Sequence, residues 1–103
     1  MRILVLCEKG VNRSVTIASH LKWWGHDVLS AGTETNSAGT LGMLIDWADR
    51  VIYTEANQLP LMVGNDKFQL WDIGPDVYPR PFNKELLKKV RALMEQNKAE
   101  YKP

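Results

Sequence analysis

Cys7 is the only cysteine of the chain, and Arg13 and Ser14 follow it closely in the sequence. The apolar run Ile3–Leu6 directly precedes the cysteine, and a segment with helical periodicity begins at Ser14. A thiolate is a strong nucleophile, and arginine can hold two oxygens of an oxyanion with its planar fork of donors. A cysteine and an arginine at the two ends of one loop therefore predict chemistry on a phosphate ester.

The residues between these two ends suit a phosphate cradle. Backbone N–H groups of a tight loop can converge on an anion, and the N-terminus of a following helix adds partial positive charge. Gly10 permits a positive φ, and asparagine is among the few other residues that tolerate it. We predict that this loop binds phosphate through Glu8, Lys9, Gly10, Val11, Asn12, Arg13 and Ser14. The competing interpretation of Cys7 is a small residue of the core.

The loop lacks the Gly-Lys-Ser/Thr ending of a nucleotide-binding P-loop, which argues against nucleotide hydrolysis. The Ser14 hydroxyl is expected to donate to the thiolate and to stabilise it as a leaving group.

A cysteine nucleophile needs an acid that protonates the departing oxygen. Asp72 and Asp76 both lie in the Gly/Pro-rich segment that follows the last predicted strand. The residues alone rank the two carboxylates almost equally, and each has an alternative interpretation as an ordinary loop aspartate. Tyr78 is a candidate aromatic wall for a substrate ring, or a packed aromatic side chain of the loop.

Strands alternate with helices along the chain. The pattern predicts strands over residues 2–6, 27–31, 50–54 and 67–71, and helices over residues 14–24, 41–48 and from Asn83 onward, with a helical turn over 55–62 and a frayed end. This alternation is typical of an α/β fold with a parallel sheet. Ligands of such sheets bind beyond the carboxyl ends of the strands, so Cys7, Thr33, Glu55 and Asp72 are expected on one edge.

Composition limits the remaining possibilities. The 103 residues fit one domain, over residues 1–103, and the formal net charge of +1 gives no case for a nucleic-acid partner. No apolar run is long enough to span a membrane. A single cysteine excludes an internal disulfide and makes a structural zinc site improbable. We expect a reduced, cytoplasmic protein without a metal, with neither nucleic acid nor membrane as partner.

The segment Cys7–Ser14 resembles the C-x5-R-S signature of protein tyrosine phosphatases. Its position after the first strand is similar to that in the low-molecular-weight family. The SAGT sequence of Ser30–Thr33, the segment Ala48–Ile52, Asn57 and the segment Asp76–Tyr78 resemble further motifs of that family. The resemblance covers essentially the whole chain.

The resemblance implies a three-layer sandwich around a four-stranded parallel sheet of order 2-1-3-4. It also implies a phosphotyrosine phosphatase that needs no cofactor, with Cys7 as nucleophile, Arg13 as phosphate ligand and Asp76 as general acid. The substrate would be a phosphotyrosine-containing protein or a small aryl phosphate, and the enzyme a monomer or weak homodimer. The second loop cysteine of the family is absent, so we expect Cys7 to be sensitive to peroxide.

Two other functions are compatible with the same loop. One is a domain that binds phosphate or a phosphoprotein without catalysis. The other is an enzyme similar to arsenate reductases, whose chemistry passes oxidation to further cysteines. This chain has none, which disfavours the second alternative.

Overall fold

A computed structural model describes residues 1–56 and 66–103. These residues form an α/β fold in which strands and helices alternate up to the fourth strand. The elements are β1 (Arg2–Cys7), α1 (Arg13–Trp23), β2 (Asp27–Gly32), α2 (Ala38–Trp47), β3 (Arg50–Tyr53), β4 (Phe68–Leu70) and α3 (Lys84–Tyr101).

The four strands form one parallel sheet in the order β2-β1-β3-β4. β1 lies inside the sheet, where Leu4 is paired with Leu29 of β2 and with Val51 of β3. Its residues Ile3–Leu6 are fully buried. A strand that is covered on both faces needs such a continuous apolar run. The predicted four-stranded parallel sheet and its strand order are confirmed.

Successive residues of β1 point to opposite faces of the sheet and join two separate apolar clusters. Ile3 and Val5 belong to a cluster that includes residues of α1 and α3 together with the buried Trp71. Leu4 and Leu6 belong to a second cluster, against which apolar side chains of α2 pack. Helices therefore contribute to the covering of both faces.

The second helix begins three residues earlier than the periodicity predicted. Ser37 is its N-cap, and the Ser37 hydroxyl accepts a hydrogen bond from the Thr40 N–H at 3.1 Å. Gly39 and Gly42 weaken the helical signal of this first turn, while the cap compensates for them. The predicted helical turn over 55–62, and with it Asn57, falls mainly outside the described residues.

The last helix continues to Tyr101, where the sequence suggested a frayed end. Tyr101 is 1% exposed, and its ring packs edge-on against Trp71 at a centroid distance of 5.6 Å. Its carbonyl oxygen also lies 2.6 Å from Nε2 of His26. Tertiary contacts thus hold the C-terminal turn in place. In the described ranges, no helix has the length and apolar composition needed to cross a bilayer.

Candidate functional site

The sulfur of Cys7 lies at the carboxyl end of β1 in polar surroundings. The residue is 2% exposed, yet it belongs to neither apolar cluster. The Gly10 N–H donates to Sγ at 3.1 Å, and the thiol donates to Oγ of Ser14 at 3.1 Å. Once the thiol ionises, the serine hydroxyl can rotate and donate to the sulfur instead. The sulfur is therefore surrounded by groups that can stabilise a thiolate.

Gly10 gives the loop its shape. Its φ of 73° lies in the left-handed region, and a Cβ at this position would lie 2.6 Å from the backbone nitrogen of Gly32. A Cβ on Gly32 would in turn lie 2.5 Å from the carbonyl carbon of Lys9. Two glycines thus allow two stretches of main chain to touch, which larger residues would prevent. The Gly32 of the SAGT segment is a structural partner of the loop.

Main-chain hydrogen bonds fix the loop to the end of β2. The N–H of Thr33 donates to the Cys7 carbonyl at 2.8 Å, and the N–H of Glu34 donates to the Glu8 carbonyl at 2.9 Å. The Thr35 hydroxyl donates to the Lys9 carbonyl at 3.1 Å. These three hydrogen bonds hold the carbonyl groups of Cys7, Glu8 and Lys9 toward the end of β2.

Arg13 is completely buried, and its guanidinium is fixed along one edge. Nη1 donates to Oε1 of Glu55 at 2.6 Å and to the carbonyl oxygen of Gly74 at 2.5 Å. Oε2 of Glu8 lies 3.8 Å from Nη2. Neither Nε nor Nη2 has a hydrogen-bond partner in the part of the chain that the structure describes.

These two nitrogens, Nε and Nη2, present parallel N–H groups along one edge of the guanidinium plane. A buried donor without a partner destabilises a protein by about 1–3 kcal/mol. A tetrahedral oxyanion offers two oxygens at the spacing that such an edge binds. The geometry of Arg13 is therefore that of an oxyanion ligand.

A second loop, over residues 72–82, lies against the first. Nδ2 of Asn12 donates to the carbonyl oxygen of Tyr78 at 2.9 Å and to Oδ1 of Asp76 at 3.4 Å. Asp76 is half-buried. Asp72 is exposed, and its carboxylate makes no hydrogen bond to residues 7–14. Of the two candidate acids, only Asp76 is hydrogen-bonded to the loop between Cys7 and Arg13.

The ring of Tyr78 lies in the interior of the protein. It is 8% exposed and belongs to the larger apolar cluster, with Nζ of Lys89 5.9 Å from its ring centroid. The ring is therefore packed in the protein, which favours the second interpretation of Tyr78 over that of a wall for a substrate ring. The exposed large apolar side chains of the two loops are Val11, Val77 and Phe82, which are 53%, 73% and 45% exposed.

Thr16 is a site-supporting residue that the sequence analysis missed. Its buried hydroxyl donates to the Asn12 carbonyl at 2.8 Å and accepts from the Phe82 N–H at 3.1 Å. It thus links the start of α1 to the end of the second loop. A threonine four residues after Asn12 can bond the carbonyl of the preceding turn, and this spacing was the available signal.

Two carboxylates lie together at the edge of the loop. The pKa of Glu34 is raised, first because its side chain shares a hydrogen bond with Glu8, and then by burial and by the charge of Glu8. Lys9 opposes this rise, and its effect is the weakest of the four. The edge of the loop therefore carries concentrated negative charge.

The described residues contain no cluster of three or more His, Cys, Asp or Glu side chains that could hold a metal ion. Of the predicted site residues, Cys7 is hydrogen-bonded to Gly10 and Ser14, and Asn12 is hydrogen-bonded to Asp76, whereas Asp72 lies apart from this loop.

Comparison with known proteins adds no family assignment. No protein-family model matches the chain, and no curated protein or solved structure matches it at a significant level. The function must be argued from the geometry of the loop.

Proposed function

We propose that this chain is a cysteine-dependent phosphatase that removes phosphate from phosphotyrosine proteins. One observation carries the proposal. Arg13 is fully buried with Nη1 fixed by Glu55 and Gly74, while Nε and Nη2 have no hydrogen-bond partner among the described residues. A phosphoryl group would complete this set of donors, and the same loop carries the nucleophilic sulfur.

The first step transfers the phosphoryl group to sulfur. The Cys7 thiolate attacks phosphorus while the Arg13 edge and the loop N–H groups hold the non-bridging oxygens. The bond between phosphorus and the aryl oxygen breaks as the P–S bond forms. Asp76 gives its proton to the departing oxygen, which leaves as a phenol.

The second step returns the enzyme to its starting state. Water attacks the cysteinyl phosphate, and Asp76 removes a proton from that water. The P–S bond breaks, inorganic phosphate forms, and sulfur leaves as a thiolate. The Gly10 N–H and the Ser14 hydroxyl, each 3.1 Å from Sγ, stabilise that leaving group. Atoms and charges balance without a redox partner or a metal.

The finer classification belongs to the same proposal. We infer a three-layer sandwich of the low-molecular-weight tyrosine phosphatase type, supported by the strand order and by helices that contribute to the cluster on each sheet face. The motifs Cys7–Ser14 and Ser30–Thr33 support the same type. The substrate would be a phosphotyrosine-containing protein or a small aryl phosphate, acted on in the cytoplasm by a monomer or weak homodimer.

Hydrolysis of aryl phosphates tests the proposal. Wild-type protein should release phenolate from p-nitrophenyl phosphate, and Cys7→Ser should be inactive. Asp76→Asn should lower kcat by about 10²–10⁴-fold on phenyl phosphate, whose leaving group needs a proton, and by less on p-nitrophenyl phosphate. Asp72→Asn is the matched control and should retain activity.

Three results would change the conclusion. Full activity in Cys7→Ser would remove the cysteine mechanism. Loss of activity in Asp72→Asn with retention in Asp76→Asn would exchange the roles of the two aspartates. Binding of inorganic phosphate by wild-type protein without any hydrolysis would leave a phosphate- or phosphoprotein-binding domain.

A further inference from the structure

The carboxylates of Glu8 and Glu34 form an acidic rim beside the buried arginine. The two residues are joined through their main chains, because the Glu34 N–H donates to the Glu8 carbonyl at 2.9 Å. The neighbouring Glu8 side chain also raises the pKa of Glu34. The Glu8 side chain is 40% exposed, and Glu34 is exposed, so both are accessible to a bound substrate.

The acidic rim lies next to the donors that have no partner. Oε2 of Glu8 is 3.8 Å from Nη2 of Arg13, and Nη2 is one of the two buried Arg13 nitrogens without a hydrogen bond among the described residues. An oxyanion bound to Nε and Nη2 would therefore lie within a few ångströms of a carboxylate. Opposite charges attract and like charges repel at such distances, even near solvent.

Other charges around the loop do not cancel the acidic rim. The guanidinium of Arg13 already forms an ion pair with Glu55 at 2.6 Å. Lys9 is the cation beside the acidic rim, and its pull on Glu34 is weaker than the effect of Glu8. A substrate that brings only a phosphate dianion thus meets excess negative charge.

We propose that the acidic rim selects phosphotyrosine peptides that carry arginine or lysine next to the phosphotyrosine. This inference rests on the proposed function and adds a substrate class to it. A basic side chain on the substrate would pair with Glu8 or Glu34 while the phosphoryl group binds Arg13. An acidic neighbour would face the same carboxylates and be repelled, so discrimination would combine attraction and repulsion.

Three phosphotyrosine peptides of equal length test the inference, with arginine, alanine or glutamate on both sides of the phosphotyrosine. We expect kcat/KM of the wild type to be about tenfold higher for the arginine peptide than for the glutamate peptide, and added salt should reduce this ratio. In the double variant Glu8→Gln, Glu34→Gln the ratio should fall to about twofold or less.

Asp46→Asn is the control, because it removes one exposed carboxylate near the C-terminal end of α2 and should keep the wild-type ratio. Glu34→Gln alone, at an exposed position, should lower the ratio of kcat/KM between the arginine and glutamate peptides by a smaller amount. This single variant replaces the double variant in the test if the double variant does not fold. Dissociation constants of the same peptides are measured with Cys7→Ser, so that selection is seen without turnover.

The two proposals fail in different ways. Hydrolysis of p-nitrophenyl phosphate with equal kcat/KM for the three peptides would overturn the selection and leave the phosphatase in place. Preference of Cys7→Ser for the arginine peptide, with no hydrolysis by the wild type, would support the selection and reject the phosphatase. If the folded double variant kept the wild-type ratio of kcat/KM between the arginine and glutamate peptides, the role of the acidic rim would be overturned.

Discussion

At the scale of single residues, Arg13 combines burial with incomplete hydrogen bonding. Its ion pair with Glu55 and its bond to Gly74 hold one edge of the guanidinium, and its other edge has no hydrogen-bond partner among the described residues. A lysine would keep the charge at this position but would offer a point charge in place of a two-donor edge. The proposed function therefore depends on the two parallel donors of Arg13 more than on its positive charge.

Arg13→Lys should consequently lower kcat/KM for p-nitrophenyl phosphate by about 10²–10³-fold, as expected when an oxyanion loses a positioned donor. Steady-state kinetics measure the loss, and circular dichroism checks the fold. Arg91→Lys on the exposed side of α3 is the matched control and should leave kcat/KM unchanged. Comparable activity in Arg13→Lys and wild type would show that the two-donor edge is dispensable.

Cys7 has no second cysteine with which to form a disulfide after oxidation. Hydrogen peroxide should therefore abolish the proposed phosphatase activity, reversibly at first as the sulfenic acid and irreversibly once the sulfinic acid forms. Mass spectrometry should find the added oxygens on Cys7, and inorganic phosphate should slow their appearance by covering the sulfur. Rapid inactivation while Cys7 stays unmodified would place the sensitive group elsewhere.

At the scale of elements, helix α1 and the loop over residues 72–82 are connected through the Thr16 hydroxyl. Loss of this hydroxyl leaves the Phe82 N–H and the site of Asp76 less firmly held. Thr16→Val, which keeps the side-chain shape, should lower kcat on phenyl phosphate by about fivefold to tenfold, which corresponds to about 1 kcal/mol.

Thr16 acts through position, so its effect should depend on the leaving group. The loss in Thr16→Val should be smaller on p-nitrophenyl phosphate, whose leaving group needs less protonation, and Thr16→Ser should restore kcat. Equal losses on both substrates, or no rescue by serine, would mean that Thr16 supports the fold in general and not the acid loop.

Helix α3 is held to the sheet by Tyr101, and this contact depends on pH. Burial is the main cause that raises the pKa of Tyr101 from 10.0 to about 12, and its phenol donates to Oε1 of Gln69. The folded state thus binds the phenolic proton more tightly than the unfolded state. The resulting stabilisation is complete below pH 10 and is lost as pH rises toward 12.

The free energy of unfolding in urea should accordingly fall between pH 10 and pH 12, by on the order of 1–2 kcal/mol beyond the change in Tyr101→Phe. Tyr101→Phe keeps the ring beside Trp71 but has no phenolic proton to lose, so it is the control for all other titrating groups. Parallel pH profiles of the two proteins would contradict the assignment.

At the scale of the whole molecule, binding of an oxyanion should be coupled to folding. A ligand that occupies only the folded state raises stability by about 1.4 kcal/mol at ten times its Kd. For a domain of this size that corresponds to a rise in Tm of about 5–10 °C. Inorganic phosphate or vanadate should produce this rise in the wild type, measured by calorimetry, and not in Arg13→Ala.

Cys7→Ser separates binding from chemistry in the same experiment, since it keeps the arginine and should still be stabilised by phosphate. An equal rise in Tm for wild type and Arg13→Ala would show that phosphate binds away from the loop.

The sequence predicted the parallel sheet well because its signals are local. Ile3–Leu6 is apolar at every position, which is typical of a central strand, and Gly10 indicated a loop residue with positive φ. The order of the strands came from the resemblance of motifs and not from periodicity. The local patterns and the motifs together predict where the loop lies in the fold. They do not predict which residues the side chains of the loop contact.

The remaining features depend on residues that are distant in sequence. The burial of Arg13 requires Glu55 and Gly74, and the ordered end of α3 requires Trp71 and His26. No local pattern contains these contacts. For the same reason the sequence could not decide between a packed and an exposed Tyr78.

The close contact of Gly10 with the main chain at Gly32 means that the loop after β1 depends on β2 for its support. The end of β2 contacts the loop from outside the segment Cys7–Ser14, so a synthetic peptide with only the first strand, turn and helix would lack this support. The anion binding proposed for this protein would therefore require β2 to be paired beside β1, and the segment Cys7–Ser14 alone would not be sufficient.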